Sequence, residues 1–376
     1  MNKSLPTNKK ICIFCETWET GGIESFLTNV LCNMDLTGLD VSIVAERIKG
    51  SVFTSTLQLL GIQFVELTGK PHSFQNFSRF QSLLEQQHYD VVYLNLYQGL
   101  ALRYAAIAKR AGVPRRIAHS HNSDLRRSST RLFKLLMHHL AKFRYSKYAT
   151  DFWACSADAA AFLFSSRALM QYRFIPNGID TGRFRFQQSF RDEVRQSLGL
   201  SNSFVIGNVG RLCYQKNQEF LIDLLAGFLP ACPNAVLMLV GDGPDESRLL
   251  AKAHEMGVSN QVLFLGTTQH IEKFYCAMDV FAFPSRFEGL GIAAVEAQCA
   301  GLPVLCAEGL PQEVKCSSSL QFLPLGQGIK PWLEALGHLS NSTQNRFINH
   351  TAVGKFDIHS VSALLSQEFR SSPRVL

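Results

Sequence analysis

The sequence predicts an α/β protein built as two open parallel sheets, and three observations carry that prediction. Short apolar runs recur along the chain with longer helix-patterned segments between them. They fall into two series, one on each side of a polar stretch at residues 186–203. The 376 residues are about two and a half times a typical 150-residue domain.

Strands buried between helical layers read as near-continuous apolar runs. The first series lies at 11–14, 41–45, 63–67, 91–94, 116–118, 152–154 and 174–175, and the second at 205–209, 235–240, 262–265, 280–283 and 304–306. Helical segments alternate with these runs, which places helices on both faces of each sheet. The polar stretch at 186–203, with a short helical signal over 191–198, is the expected seam. The expected units are residues 1–185 and 186–355, both Rossmann-like. Ligands bind beyond the carboxyl ends of the strands in such sheets, and two sheets facing each other make a central cleft.

Hydrophobic residues make up 46% and charged residues 18% of the chain, which excludes a disordered protein. The net charge is +7. Between Arg103 and Lys147, however, twelve Lys and Arg stand against Asp124 alone, so the positive charge is concentrated locally. The ten cysteines are scattered, and Cys12-Ile-Phe-Cys15 has no second pair to complete a zinc site. An offset of three within a strand puts Cys12 and Cys15 on opposite faces, as plain core residues. Many unpaired thiols suit a reducing cytoplasm. Only a short apolar run follows Lys9 and Lys10, too short for a signal-peptide core, and no run reaches the length of a membrane span. The expected location is cytoplasmic, with attachment to a membrane surface as the limit.

The chemistry-bearing motifs lie after strands. After the first comes Gly21-Gly22-Ile23-Glu24, opening a helix; paired glycines admit a ligand close to the backbone, and the helix N-terminus favours an anion. The three spaced glycines of a dinucleotide fingerprint are missing here and at Gly207 to Gly210, so hydride chemistry loses support. Arg211 and Lys216 follow the strand at 205–209, where a guanidinium fork and a point charge can clamp a diphosphate. Asp242 and Asp245 do not form the close acid pair that would hold a divalent ion, so the expectation is a reaction without metal or other cofactor.

The segment Glu288-Gly289-Leu290-Gly291 leads into a helix over 290–300 that contains Glu296 and is ended by Gly301. Its free N–H groups can receive a phosphate. Continuous helical geometry would set Glu296 about 12 Å beyond Glu288, so the two carboxylates can accept hydroxyls from two different sugars. In the first half, His119-Ser120-His121-Asn122 follows the strand at 116–118; a histidine there can hydrogen-bond a sugar hydroxyl or a phosphate, and His121 ranks ahead of His119. From Arg126 to Lys147, apolar Leu132, Phe133, Leu135, Leu136, Leu140 and Phe143 are interleaved with cations. That pattern suits either an anionic membrane interface or a pyrophosphate-bearing lipid, or else a domain helix with one core face and one solvated basic face.

With these residues assembled, the sequence resembles the GT-B glycosyltransferases of retaining family GT4 (glycosyltransferase group 1), in the branch that makes capsules and exopolysaccharides. Glu288 with Glu296 matches the family's E-x7-E motif, and Arg211 with Lys216 its R-x4-K pair. Thr20 to Glu24, Ala118 to Asn122 and Pro176 to Asp180 match further signatures. The resemblance implies donor nucleotide on the second domain and acceptor on the first, with closure bringing them together. It assigns Gly21 and Gly22 to the donor phosphates, His121 to the donor sugar, Glu288 to the transferred-sugar hydroxyls and Glu296 to the ribose. Gly289, Leu290 and Gly291 join the donor site, His119 and Asn122 take acceptor or secondary roles, and a last helix in 356–376 crosses back to the first domain. The segments Ala307 to Leu320 and Gly326 to Asn349 depart from the family pattern.

The implied activity is transfer of a hexose from a nucleoside diphosphate sugar, by family frequency a UDP-sugar, to a glycan or lipid-linked saccharide in surface polysaccharide synthesis. The competing readings are a sugar-nucleotide epimerase on the same architecture, which needs no acceptor, and a non-enzymatic basic binding protein. The second has no aromatic platform for single-stranded nucleic acid and leaves Glu288 and Glu296 without a role, so nucleic acid is not an expected partner.

Overall fold

The computed structural model describes residues 8–19, 21–125, 130–341, 346 and 353–372. Thr20 of the diglycine turn and Arg126 and Arg127 of the basic stretch lie outside these residues. The first sheet contains β1 (Lys9–Trp18), β2 (Leu39–Ile48), β3 (Gln63–Glu66), β4 (Val91–Leu96), β5 (Arg115–Ser120), β6 (Asp151–Ala154) and β7 (Arg173–Phe174), in the order β3-β2-β1-β4-β5-β6-β7. All the pairings are parallel. The second contains β8 (Phe204–Val209), β9 (Ala235–Val240), β10 (Val262–Phe264), β11 (Val280–Phe283), β12 (Val304–Ala307) and β13 (Leu320–Leu323), in the order β10-β9-β8-β11-β12-β13, again parallel.

Burial explains the apolar runs. Residues Ile11 to Cys15 of β1 and Val280 to Phe283 of β11 are wholly covered, because helices lie on both faces of a parallel sheet. Ile11, Ile13 and Cys15 share one core with Ile23, Phe26, Leu27 and Val30 of the helix Gly22–Cys32; Cys12 is buried but not part of that cluster. All ten cysteines are free thiols. β1 continues past its apolar run to Trp18, which is fully buried and donates its indole N–H to Thr54 Oγ1 at 3.1 Å.

The chain divides into one unit of residues 1–179 with 356–376 and another of 180–355. The division falls ahead of residue 185. Asp180 to Arg185 go with the second unit, where Arg183 pairs with Glu272 at 2.7 Å. The closing helix Ile358–Arg370 packs on the first unit: Ser362 donates to the Val30 carbonyl at 3.1 Å and Ser366 to the Asp35 carbonyl at 3.2 Å. Arg115, whose side chain is only 1% exposed, bridges Asp151 at 2.8 Å and Glu368 of that helix at 2.7 Å. Arg173 also reaches Glu368. Among the described residues no helix is long and apolar enough to cross a membrane.

Candidate active site

The strand order of each sheet reverses next to its first strand, so the crevices fall beside the carboxyl ends of β1 and β4 in the first unit and of β8 and β11 in the second. In the second unit the two loops leaving that point are joined. Lys216, on the loop after β8, places Nζ 2.7 Å from Glu288 Oε1, on the loop after β11. Gln215 donates to Glu288 Oε2 at 3.3 Å and to the Phe287 carbonyl at 3.0 Å, and Arg286 N–H donates to the Gln215 carbonyl at 2.8 Å. Asn217, in the left-handed region at φ 59°, closes the same seam through Pro284 at 3.1 Å and Arg286 at 2.6 Å. Arg211 is exposed on the first of these loops, and Lys216 also lies 4.8 Å from the centre of the Phe283 ring.

The helix behind Glu288 spans Ile292–Cys299 rather than 290–300. Gly291 interrupts it at φ 95°, and an added Cβ there would also press on Phe283 at 3.1 Å, so a left-handed glycine turns the chain before the helix starts. The expected spacing of Glu288 and Glu296 along one continuous helix is therefore corrected, since Glu288 to Gly291 is not helical. Gly289, Leu290 and Gly291 are buried where this turn meets the helix N-terminus. Glu296 accepts a hydrogen bond from the Tyr275 hydroxyl at 2.7 Å, and burial pushes its carboxyl up to about 7.

In the first unit, β5 extends to Ser120, past the expected end at 118. His119 therefore lies inside the sheet, wholly buried among Tyr93, Trp153 and Phe26, with Nδ1 2.5 Å from the Tyr93 hydroxyl. Its expected contact with a ligand is corrected to packing behind His121, whose ring centre lies 3.9 Å away. His121 stands just beyond the strand, with Nε2 2.9 Å from Asn95 Oδ1. Asn122 donates to the Asp124 carbonyl in a local turn.

Gly21 caps the helix Gly22–Cys32 in an extended conformation, and a Cβ there would meet Glu24 Oε2 at 2.6 Å. Gly22 is exposed with open space at its Cβ position. Glu24 is buried, and desolvation pushes its carboxyl up to about 7. The folded state thus holds this proton more tightly than the unfolded chain, whose value is near 4.5. The stability it contributes is full below about pH 4.5 and is lost as pH rises through about 7. Glu24→Gln is accordingly expected to raise Tm at about pH 8 by roughly 2–4 °C and to leave it unchanged at about pH 4.5. Equal shifts at both pH values in thermal melts would contradict this.

Sequence reasoning missed a second polar cluster at this edge. His72, in the left-handed region at φ 55°, sets Nε2 3.2 Å from Glu16 and Nδ1 3.6 Å from Glu46. Burial opposes its charge, but hydrogen bonding and attraction from Glu16 hold its pKa above the usual imidazole value. Glu16 also accepts from the Tyr97 N–H at 2.9 Å and from Gln98 at 3.1 Å. Asn95 was missed as well, although a polar residue within Val91-Val-Tyr-Leu-Asn-Leu96 is a signal visible in sequence. Among the described residues no group of three His, Cys, Asp or Glu is placed to hold a metal ion.

Two family models match the chain. One, described as Glycosyltransferase Family 4, covers residues 20–183, and the other, Glycosyl transferases group 1, covers residues 190–314. The chain belongs to this family of glycosyltransferases. It is 28% identical over 365 residues to EpsF of Bacillus subtilis, named as a putative glycosyltransferase, covering 93% of this chain and 92% of that protein. It is 30% identical over 230 residues, 59% of each chain, to an Escherichia coli UDP-Gal:alpha-D-GlcNAc-diphosphoundecaprenol alpha-1,3-galactosyltransferase. The crystal structure of Anabaena HepE with UDP and glucose superposes with a TM-score of 0.78 at 23% identity, over 96% of this chain and 99% of that one. The fold is that of the GT-B glycosyltransferases.

Proposed function

We propose that the protein transfers a hexose from a UDP-sugar to a saccharide or lipid-linked saccharide acceptor in surface polysaccharide synthesis, with retained anomeric configuration. The observation that carries this reading is the Lys216–Glu288 pair, which joins two loops at the crevice of the second sheet. Relatives support the donor and acceptor classes: the Escherichia coli enzyme is named for UDP-Gal and a diphosphoundecaprenol acceptor, and HepE was solved with UDP and glucose.

In this mechanism the bond between the anomeric carbon and the β-phosphate oxygen breaks while an acceptor hydroxyl oxygen bonds that carbon from the same face. The hydroxyl proton leaves with the departing phosphate. Charge growing on the β-phosphate is met by Arg211, by Lys216, which Glu288 holds in place, and by N–H groups at the start of the helix Ile292–Cys299. Glu288 takes hydroxyls of the transferred sugar and Glu296 the ribose. Gly289, Leu290 and Gly291 form the phosphate approach on the second unit; from the first unit, Gly21 and Gly22 serve the phosphates and His121 the sugar.

A thermal-shift panel of UDP, GDP, ADP and CMP tests the diphosphate site. UDP at 100 times its Kd is expected to add about 2.7 kcal/mol, and Arg211→Ala to lose most of that gain. A shift that survives the substitution would place the diphosphate elsewhere, and no shift with any nucleotide would remove the support for a donor site.

The same reading places the enzyme on the cytoplasmic face of an anionic membrane. The helix Arg131–Tyr145 is anchored by His138, which accepts from the Gly99 N–H at 2.9 Å and lies 2.9 Å from the Phe162 carbonyl. Five of its larger apolar side chains point outward: Leu132, Phe133, Leu136, Leu140 and Phe143 are 55–84% exposed, while Leu135 and Met137 are half-buried. Cations flank them, including Arg131, Lys134 and Arg144, the composition of an interfacial helix. Replacing Phe133 and Phe143 together by serine is expected to weaken co-sedimentation with anionic liposomes at low salt by about tenfold or more. Undiminished binding, or none by the unaltered protein, would refute membrane docking through this helix.

A further inference from the structure

Asn95 is completely buried in β4, the one amide in an otherwise apolar and aromatic strand. Its side-chain nitrogen lies 3.5 Å from the main-chain carbonyls of Phe14 and Tyr93, and its oxygen lies 2.9 Å from His121 Nε2. Carbonyl oxygens only accept, so the two carbonyls fix which end of the amide is which. An amide oxygen also only accepts. The proton in the contact to His121 must therefore sit on Nε2.

A second proton on the ring is disfavoured. His121 is surrounded by Phe26 at 5.5 Å and by His119 at 3.9 Å between ring centres, and burial drives its pKa down to about 3. The ring is thus neutral, with Nε2 donating inward and a bare lone pair on Nδ1. Among the described residues none hydrogen-bonds Nδ1.

We propose that Asn95 is a positioning residue that locks His121 in the Nε2–H tautomer, so that Nδ1 reads a hydroxyl of the transferred sugar and rejects a phosphate oxygen. A hydroxyl can donate to that lone pair, whereas an ionised phosphate offers only lone pairs of its own. The proposal rests on the reading that His121 serves the transferred sugar, and it adds the residue that sets the ring's tautomer.

Two measurements test it. Long-range nitrogen–proton spectra of histidine-labelled protein at pH 7 should show a protonated Nε2 and an unprotonated Nδ1 for His121. An Nδ1–H ring or an imidazolium overturns the proposal without touching the transferase reading. Calorimetric titrations then compare UDP-glucose with UDP and GDP-mannose with GDP. With the accepted donor, Asn95→Leu should weaken the sugar nucleotide about tenfold and leave the bare nucleotide unchanged. Equal weakening of both would put phosphate at Nδ1 and overturn the proposal. An Nε2–H ring with no sugar-dependent change in His121→Ala would overturn the sugar contact itself, and with it the donor role given to His121.

Discussion

Glu288→Ala is expected to lower kcat by about 10²- to 10³-fold, the usual cost of removing one preorganised electrostatic contact. Glu288 has two tasks in the proposed mechanism: it holds transferred-sugar hydroxyls and it fixes Lys216 Nζ at 2.7 Å. Without the carboxylate, Lys216 keeps its charge but loses its position, and the Gln215 side-chain amide loses one of its two acceptors on that loop. Lys216→Met should cost a similar factor, and the double substitution little more than either alone, because the two residues act as one unit. Steady-state kinetics with the donor selected by thermal shift will measure this, with Tm as the check on folding. Unchanged turnover in Glu288→Ala would remove it from the active site, and additive losses would separate its role from that of Lys216.

Arg115→Met is expected to destabilise the first unit by about 3–5 kcal/mol, since it leaves the buried Asp151 carboxylate without its cation. The guanidinium is shared between Asp151 of β6 and Glu368 of the closing helix. Burial alone would raise the Glu368 carboxyl, yet hydrogen bonds from Arg115 and Arg173 hold it below the usual value. Arg173 still reaches Glu368 in the variant, so Asp151 is left the more exposed to the loss. Urea unfolding followed by hydrogen exchange should show the effect in residues 358–370 and in β5 and β6, with the second unit unaffected. A loss below about 1 kcal/mol, the value of an exposed pair, would mean that the network contributes little.

The central strands were legible because parallel strands covered on both faces need unbroken apolar runs, as in Ile11 to Cys15. The edge strand β13 was not. Its Leu-Gln-Phe-Leu follows a serine-rich stretch and pairs on one side only, with β12. The loops after β8 and β11 were found from charge and glycine placement, but the start of the helix at Ile292 depends on the left-handed turn at Gly291. His119 and His121 share a strand face by alternation, and what separates them is that β5 runs to Ser120. The Glu16–Glu46–His72 cluster draws on β1, β2 and the loop after β3, and no local pattern announces such a convergence.

The C-terminal helix also bears on the order in which the protein is assembled. Main-chain hydrogen bonds join Ile179 to Phe356 and Ile358 at 2.8 Å each, so the chain leaves the first unit and re-enters it at one point. Ile358, Val361, Leu365 and Phe369 complete a core whose other members lie between Ile11 and Ile175. During synthesis, residues 180–355 are all polymerised before those four side chains exist. The unit begun first is therefore completed last, and its uncovered apolar surface must wait through the synthesis of the other.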